Sequence, residues 1–457
     1  MAENQKHGAW SSRTTYILFT LGGAVGLGNM WKFPYTAGAN GAGVFIVSYL
    51  LAIVVLGIPM LMAESALGRH GQKSPPGTLA DLAEAKGFSR RWGWIGFSSI
   101  ASSLIALGFY SVIAGFSIAY ITPAFMGVFD GADAVQIETR FSELKSNPYQ
   151  ALIWHSLFAL ITWGLVARGV RRGLEWVARL LMPALFGLLV LLVIYAYLVG
   201  DFAAAWDYLF TFDLNALTPA IALAAVGQAF FSLNVGAGGT LTFTSYNRKP
   251  IPIAKTSAII AGGDTLVAIL AGLAIFPIVF ANGLNPAEGP GLVFITLPLA
   301  FAEMPFGNFV GGLFFVLFMM AAVTSSVGML EISTSYFEGK GRWTRPRIAL
   351  ALTGFYWILG FGTIMSLGAW SNVYPMSVLP VFENANIFHI SDYVVSNILL
   401  PLTAVIFTLL AGWALSRKTL LLELGLKDGP LFNAWLWIAR IIAPALILYL
   451  FWANLNH

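Results

Sequence analysis

The sequence contains no cysteine and few charged residues. The first absence excludes several kinds of chemical site, and the second excludes several classes of protein. Without cysteine the chain has no disulfide bond, no thiolate metal ligand and no cysteine nucleophile. Only 10% of its 457 residues are Asp, Glu, Lys or Arg, whereas a soluble domain carries about 25%. Because so few charges cannot cover a water-exposed surface, the composition excludes cytosolic enzymes, disordered scaffolds and nucleic-acid binders.

What the chain has instead is apolar surface, with 58% hydrophobic residues and 47 glycines. A helix needs about 20 apolar residues to cross the bilayer, and such runs without period-2 alternation are helices rather than barrel strands. We therefore predict an all-α integral membrane protein with eleven transmembrane helices. The first run is too long and glycine-rich for a cleavable signal peptide. The predicted spans are residues 12–36, 41–68, 94–122, 151–167, 174–198, 217–245, 253–281, 309–337, 346–367, 391–415 and 432–453.

The positions of the charges predict the orientation of the chain in the membrane. Most of the 25 basic residues fall in loops on the side of the N-terminus, and loops rich in Lys and Arg stay in the cytoplasm. On the other side only Lys32, Arg140 and Lys145 are basic, and acidic residues predominate. We expect a cytoplasmic N-terminus, an extracytoplasmic C-terminus and no nucleic-acid partner.

Two of the predicted spans are interrupted at mid-membrane depth. The first contains GGAVGLGN from Gly22 to Asn29, and the sixth contains FSLNVGAGG from Phe231 to Gly239. Glycines at these depths can serve close helix packing, but two breaks that mix glycine with Asn or Ser favour unwound backbone able to bind Na⁺ and a carboxylate. The broken spans are the first members of two five-helix halves, residues 12–198 and 217–415, followed by an additional helix at 432–453.

The sequence offers no catalytic pattern. The glycine cluster does not follow a strand and has no acid about 20 residues later, so it is not a dinucleotide-binding loop. There is no GxxxxGK[ST] and no HExxH, and only His155 of the five histidines lies within a span. We expect a transporter rather than an enzyme. A channel remains an alternative, which saturable Na⁺-dependent uptake would distinguish.

Three motifs resemble signatures of the neurotransmitter:sodium symporter family. They are GGAVGLGNMWKFP (Gly22–Pro34), GQAFFSLNVGAG (Gly227–Gly238) and Thr324-Ser325-Ser326. The resemblance covers nearly the whole chain and, with eleven helices, points to the bacterial branch that includes leucine, tryptophan and hydrophobic amino-acid transporters. It implies the leucine-transporter-like fold, an inverted 5+5 repeat with helices 1 and 6 broken. It further implies Na⁺-coupled import of an amino acid across a bacterial inner membrane by alternating access, no organic cofactor, and a functional monomer for which a dimer is possible.

The resemblance also implies two sodium sites made of carbonyl, hydroxyl, amide and carboxylate oxygens. The matching positions are Ala24, Asn29, Ser232 and Asp264 for the first site, and Gly22, Val25, Ala321, Thr324 and Ser325 for the second. Asp264 departs from the best-known bacterial member, which has Asn there, and Ala268 replaces a chloride-ligating serine of animal members. An acid in mid-membrane is functional by default, so we predict that Asp264 substitutes for bound chloride and that transport is chloride-independent.

By the same resemblance a mostly apolar pocket binds the substrate. Gly26 stands where monoamine carriers have Asp, which favours a neutral α-amino acid whose own carboxylate completes the first sodium site. Small residues at Ala106 and Ala237 predict room for a large hydrophobic or aromatic side chain. A transporter of the same fold with a different small substrate remains the alternative. The implied pocket residues are Gly23, Ala24, Leu27, Gly28, Ala106, Tyr110, Phe231, Ser232, Asn234, Ala237, Ser325 and Met329.

Gates on both sides are implied as well. Tyr110 and Phe231 match the lid over the substrate, and Lys32 with Asp392 matches the outer ion pair. On the inner side Trp10 matches the aromatic residue of a latch. The latch arginine and aspartate of the family fall on His7 and Gly339, for which Lys6, Arg13 and Glu338 are candidate substitutes. The Gly-X9-Pro spacing of Gly173 and Pro183 resembles the motif that lets the fifth helix unwind toward the inner sodium site.

Overall fold

The protein is all-helical throughout the residues that its structure, a computed structural model, describes, which are 8–211, 213–247, 251–286 and 291–455. Up to residue 210 the helices are α1 (Arg13–Ala24), α2 (Phe33–Ala39), α3 (Ala42–Gly71), α4 (Pro75–Ala85), α5 (Arg90–Phe125), α6 (Ala134–Ser146), α7 (Pro148–Ala167), α8 (Val170–Val199) and α9 (Phe202–Phe210). From residue 219 onward they are α10 (Pro219–Ser232), α11 (Gly239–Ser245), α12 (Ile253–Ala281), α13 (Leu292–Glu303), α14 (Gly307–Gly339), α15 (Arg345–Leu367), α16 (Ile387–Ala414), α17 (Arg417–Leu424) and α18 (Pro430–Tyr449), which continues as helix to Leu455.

Nine helices in these described ranges are long and apolar enough to cross a membrane, namely α3, α5, α7, α8, α12, α14, α15, α16 and α18. Each coincides with a predicted span. The two remaining predicted spans, the first and the sixth, are the interrupted ones. The first consists of α1, a π turn at Gly28–Lys32 and α2, and the sixth consists of α10 and α11. The difference between nine continuous helices and eleven predicted spans therefore lies in the two breaks that the glycine clusters predicted.

The long helices form two groups with α1 between them. In the first group α5, α7, α14 and α15 pack against one another. His155 of α7 links three of these helices, because its Nδ1 lies 3.0 Å from the Ser111 hydroxyl of α5 and its Nε2 lies 3.3 Å from the Trp357 carbonyl of α15. This is the structural role expected for a buried, hydrogen-bonded histidine.

In the second group α3 packs against α10, α11, α12 and α16, and α12 also packs against α8. Helix α1 contacts α14 of the first group and α12 of the second. Helix α11 also contacts α14 of the first group and α1, so both broken spans meet at the boundary between the two groups. Outer and inner denote the two sides of the membrane in the predicted orientation.

Candidate functional site

The break between α10 and α11 is produced by left-handed backbone at alternate residues. Asn234, Gly236 and Gly238 have φ angles of 53°, 88° and 74°, a region that costs glycine nothing and that Asn tolerates better than other residues. A side chain at Gly236 would also collide with the carbonyl oxygen of Leu400. The buried carboxylate of Glu64 accepts a hydrogen bond of 2.6 Å from the Gly236 N–H, so α3 satisfies a backbone donor that the break leaves without a helical partner.

The first break begins where α1 ends. Val25 adopts an extended ψ of 107°, and the chain resumes helical form in the π turn. A Cβ atom at Gly26 would lie 2.8 Å from the hydroxyl oxygen of Tyr110 and would overlap Ser325 Oγ. Tyr110 in turn accepts a hydrogen bond of 3.3 Å from the Leu27 N–H. Position 26 therefore favours glycine, because the polar side chains of Tyr110 on α5 and Ser325 on α14 lie against the break.

A cavity of about 50 Å³ lies between the two breaks, α5 and α14. Every predicted pocket residue except Ser232 lines it; Ser232 lies beside Asp264 instead. About 10–15 Å³ of such space holds one water molecule, so the cavity must widen before a whole amino acid can enter. The lining residues that the sequence did not single out as pocket residues are Gly26, Ser102, Ser103, Phe109, Val395 and Leu400.

Three of the four residues predicted for the first sodium site form one buried cluster, called here the charged cluster (Asn29, Ser232 and Asp264, with Tyr49). The Asn29 amide nitrogen donates to Asp264 Oδ1 at 2.9 Å and to Ser232 Oγ at 3.1 Å, and the Ser232 hydroxyl donates to the other oxygen of Asp264. The Tyr49 hydroxyl lies 3.4 Å from Ser232 Oγ. Ala24 lines the adjacent cavity. The cluster therefore has a carboxylate, two hydroxyls and an amide in direct contact.

The residues predicted for the second sodium site also come together, in what is called here the neutral cluster (Gly22, Val25, Ala321, Thr324 and Ser325). The Thr324 hydroxyl lies 2.9 Å from the Ala321 carbonyl and 3.3 Å from that of Val25. Ser325 Oγ lies 3.0 Å from the Val25 carbonyl and 3.4 Å from that of Gly22. All five oxygens belong to uncharged groups, and they join α1 to α14.

On the outer side the lid residues lie over the cavity, but the predicted ion pair is not formed in this structure. The Lys32 ammonium and the Asp392 carboxylate form no ion pair within 4 Å; the ammonium instead lies 4.0 Å from the centre of the Phe231 ring. Asp392 accepts a hydrogen bond of 3.0 Å from Ser396. An ammonium group is attracted to the face of an aromatic ring, which explains why the lysine covers the lid.

On the inner side Trp10, the predicted latch residue, is packed between α1 and α11. Its indole N–H donates to the Phe243 carbonyl at 2.7 Å, and its ring packs 5.1 Å from that of Phe19. The neighbouring Ser11 donates its N–H and its hydroxyl to the buried Glu175 at 2.6 and 2.8 Å. Glu175 lies between Gly173 and Pro183, so the N-terminal segment is attached to the stretch that resembles an unwinding motif.

The proposed substitution of the inner latch by Arg13 and Glu338 does not occur here. Arg13 donates to Thr256 at 3.2 Å, whereas Glu338 pairs with Arg345 at 2.8 Å. Arg345 also pairs with the buried Glu331, which accepts a hydrogen bond of 2.5 Å from Tyr246. Because its guanidinium has five N–H donors in a fixed planar arrangement, Arg345 binds the carboxylates of Glu331 and Glu338 at the same time. The other candidates, Lys6 and His7, lie outside the described residues, and Gly339 ends α14.

Two kinds of residue escaped prediction from the sequence. Ser11, Glu175 and Arg345 carry no motif of their own, and only the fold brings them together from distant positions. Ser102 and Ser103 lie one helical turn before Ala106 on the same helix, so their place in the cavity could have been inferred once Ala106 and Tyr110 had been assigned to its wall.

Comparison with known proteins finds relatives over nearly the whole chain. Residues 7–137 and 145–455 match the Sodium:neurotransmitter symporter family. An uncharacterized sodium-dependent transporter of Bacillus subtilis, YhdH, is 35% identical over 98% of this chain and 97% of its own length. The human sodium-dependent neutral amino acid transporter SLC6A17 is 29% identical over 59% of this chain and 40% of its own. The crystal structure of MhsT in complex with L-phenylalanine has a TM-score of 0.89 at 37% identity, covering 98% of this chain and all of that one. The resemblance read from the motifs is thus confirmed, and the chain belongs to the sodium:neurotransmitter symporter family.

Proposed function

We propose that the protein is a Na⁺-coupled symporter that imports a neutral, large hydrophobic or aromatic L-amino acid across a bacterial cytoplasmic membrane. The observation that carries this proposal is the cavity between the two helix breaks. The charged cluster and the neutral cluster lie on opposite sides of the first of these breaks. Unwound backbone at the membrane midplane supplies carbonyl oxygens for Na⁺ and N–H groups for a substrate carboxylate. Binding of L-phenylalanine by MhsT, a structurally similar relative, supports an amino-acid substrate.

The charged and neutral clusters are the proposed first and second sodium sites. Na⁺ is a hard cation that favours oxygen ligands, and the two clusters supply carbonyl, hydroxyl and carboxylate oxygens. In the charged cluster the Asn29 amide presents its nitrogen to Asp264. A half turn of that amide, which gives up its 3.3 Å hydrogen bond from the Gly26 N–H, presents its oxygen to a cation beside the carboxylate.

The proposed topology has eleven crossings, with the N-terminus in the cytoplasm and the C-terminus outside. The two halves, residues 12–198 and 217–415, are inverted copies that each begin with a broken helix. One functional unit is a monomer; a dimer is compatible with it. Alternating access follows if α1 and the second group of helices move relative to the group formed by α5, α7, α14 and α15, with Na⁺ and substrate favouring the outward-facing and then the occluded state.

The proposed substrate has no charge on its side chain. The described lining of the cavity contains no acidic and no basic residue, so a charged side chain would remain unpaired at a high cost. The substrate carboxylate lies near Gly26, where the Tyr110 hydroxyl and the N–H groups of the break are available as donors. Tyr110, Phe231 and Lys32 close the outer side over it.

Transport is proposed to be independent of chloride. Asp264 lies in direct contact with Asn29 and Ser232, so a fixed negative charge is already available where animal members bind chloride. Uptake that rises steeply with chloride at constant Na⁺ would contradict this part of the proposal and leave the rest intact.

The test is uptake of radiolabelled amino acids into proteoliposomes under an inward Na⁺ gradient, after a Na⁺-dependent thermal-shift screen of the twenty amino acids. We expect saturable uptake of large neutral amino acids that disappears when K⁺ replaces Na⁺. At 100 mV each net charge that enters contributes about 2.3 kcal/mol, so uptake should also be electrogenic. Non-saturable flux would support a channel, and saturation by another class of solute would support a transporter with a different substrate.

A further inference from the structure

Four arginines at the inner membrane surface form a group called here the arginine cluster (Arg168, Arg171, Arg172 and Arg347). All four are exposed, and their side chains make no hydrogen bond or ion pair with any residue that the structure describes. Three of them lie where α7 ends at Ala167 and α8 begins at Val170. Because both helices are long enough to cross the membrane, so short a connection holds its side chains at the level of the lipid headgroups.

The start of α15 brings the fourth arginine to this connection. The Arg345 guanidinium donates to the Val166 carbonyl at 2.9 Å, and the Trp163 indole N–H donates to the Pro346 carbonyl at 3.1 Å. The first turn of α15 therefore packs against the end of α7, and Arg347 belongs to that turn. The arginine cluster is thus assembled from two segments that are distant in the sequence.

The acidic residues of the adjoining segments are already paired. Glu175 of α8 binds Arg179, and Glu331 and Glu338 of α14 both bind Arg345. Described residues therefore leave the charge of the arginine cluster uncompensated, and like charges at a membrane surface repel one another. An anion bound among the four guanidinium groups would relieve that repulsion.

Exposed apolar side chains continue from the arginines toward the membrane interior. Trp176 and Leu180 follow Arg172 on α8 and are 45% and 53% exposed, and Leu350 follows Arg347 on α15 and is 50% exposed. Basic side chains at headgroup depth above exposed apolar ones match a molecule with an anionic head and hydrocarbon tails. A soluble anion would use the arginines alone.

We propose that the arginine cluster binds the phosphate of an anionic phospholipid of the inner leaflet, and that the bound headgroup holds the start of α8 against α15. The N–H donors of a guanidinium match the oxygens of a phosphate group. The π turn Val170–Leu174, which carries two of the arginines, directly precedes Glu175, the acceptor for the N-terminal segment. Detachment of this turn separates its arginines from that of α15, so the lipid stabilises the closed inner side.

The test titrates lipid into the purified full-length protein in an uncharged detergent at about 150 mM salt and follows the midpoint of thermal unfolding. A ligand that binds the folded state raises this midpoint. We expect a saturable rise with phosphatidylglycerol, and little change with phosphatidylcholine of the same acyl chains or with glycerol 1-phosphate. An equal rise with phosphatidylcholine would contradict the role of charge, and an equal rise with glycerol 1-phosphate would contradict a phospholipid as the occupant.

Variants locate the site. In Arg171→Gln/Arg172→Gln the phosphatidylglycerol concentration for half-maximal stabilisation should rise about tenfold or more, whereas Arg171→Lys/Arg172→Lys, which keeps the charge, should stay within about threefold of the wild type. The matched control Lys86→Gln/Arg91→Gln removes two exposed charges that have no described partner from the end of α4 and the start of α5. It should change the titration less than about twofold.

Equal losses in the two Gln pairs would refute a specific site. If Arg171→Gln/Arg172→Gln does not yield folded protein, Arg347→Gln decides, since an unchanged titration there contradicts the inference. Hydrogen–deuterium exchange tests the effect on α8. Phosphatidylglycerol should slow the exchange of residues 168–176 about two- to fivefold in the wild type and not in the Gln pair. Exchange that stays unchanged while the lipid binds would overturn the effect on α8.

Discussion

The charged cluster and the neutral cluster flank the same helix break, but the groups that supply their oxygen atoms differ in charge. The charged cluster joins the first break to Ser232 and to Asp264 of α12, and it contains a full negative charge. The neutral cluster joins α1 to α14 through carbonyls and hydroxyls alone. A cation in the first is balanced by a carboxylate, whereas a cation in the second depends on dipoles whose positions change when α1 moves against α14. We therefore infer that the neutral cluster is the more sensitive to conformation and releases its cation first.

The largest effect is expected from Asp264→Ala. The change removes the only formal charge of the charged cluster and leaves the donors of Asn29 and Ser232 without their acceptor. Hydrogen bonds to charged groups contribute about 1.5–3 kcal/mol each, so the Na⁺ concentration for half-maximal substrate binding should rise about 100-fold or more. Asp264→Asn, which keeps the size of the side chain, separates the charge from the packing. An unchanged Na⁺ titration in Asp264→Ala would refute the assignment of this cluster.

Gly26→Ala should affect both clusters at once. Gly26 follows Val25 of the neutral cluster, and its N–H faces the Asn29 amide oxygen at 3.3 Å. The added methyl would press on Tyr110 and Ser325, and overpacking of this kind costs about 1–3 kcal/mol. Substrate affinity should fall about 10- to 100-fold in equilibrium binding. The control is Gly262→Ala on α12, where a Cβ would meet no atom within 4 Å; equal loss in both variants would contradict the explanation.

Thr324→Val sharpens the comparison because it alters only the neutral cluster. The variant has nearly the same shape but lacks the hydroxyl that faces the carbonyls of Ala321 and Val25. A net loss of about 1 kcal/mol should raise the half-maximal Na⁺ concentration about fivefold, without making binding depend on chloride. Thr408→Val is the matched control, since Thr408 bonds to a carbonyl of its own helix, Ala404, away from both clusters. Similar Na⁺ titrations for the two variants would contradict the second site.

The smallest effect is expected from Ser11→Ala, which weakens the inner closure below the neutral cluster. Loss of the hydroxyl bond to Glu175 frees part of the stretch between Gly173 and Pro183, where two π turns, Val170–Leu174 and Val177–Leu181, already interrupt α8. Because the chain has no cysteine, Thr20→Cys supplies a single thiol on α1. Its labelling from the inner side should accelerate about two- to fivefold in Ser11→Ala. The control is Ser146→Ala in the outer loop region, and equal labelling rates would exclude the proposed role.

Much of the candidate site could be predicted from the sequence because its signals are local. The glycines of the two breaks lie within a few residues of the oxygen ligands that they expose, and the motifs that carry Asn29 and Ser232 are continuous. Ion pairs were harder to predict, since a charged side chain can reach several partners. Lys32 covers Phe231 rather than pairing with Asp392, and Glu338 pairs with Arg345 rather than with Arg13.

By itself the sequence determined the membrane location, the predicted spans and the two breaks, because scarce charge, apolar length and glycine act through the chain's own backbone and its solvent. Only the tertiary structure decided that the Gly236 N–H donates to Glu64 and that the Ser11 N–H donates to Glu175. It also decided that Ser102 and Ser103 line the same cavity as Asn234. These pairings join residues far apart in the chain. They depend on which helix faces lie together, and helices that are apolar on nearly all sides carry little periodic pattern to show it.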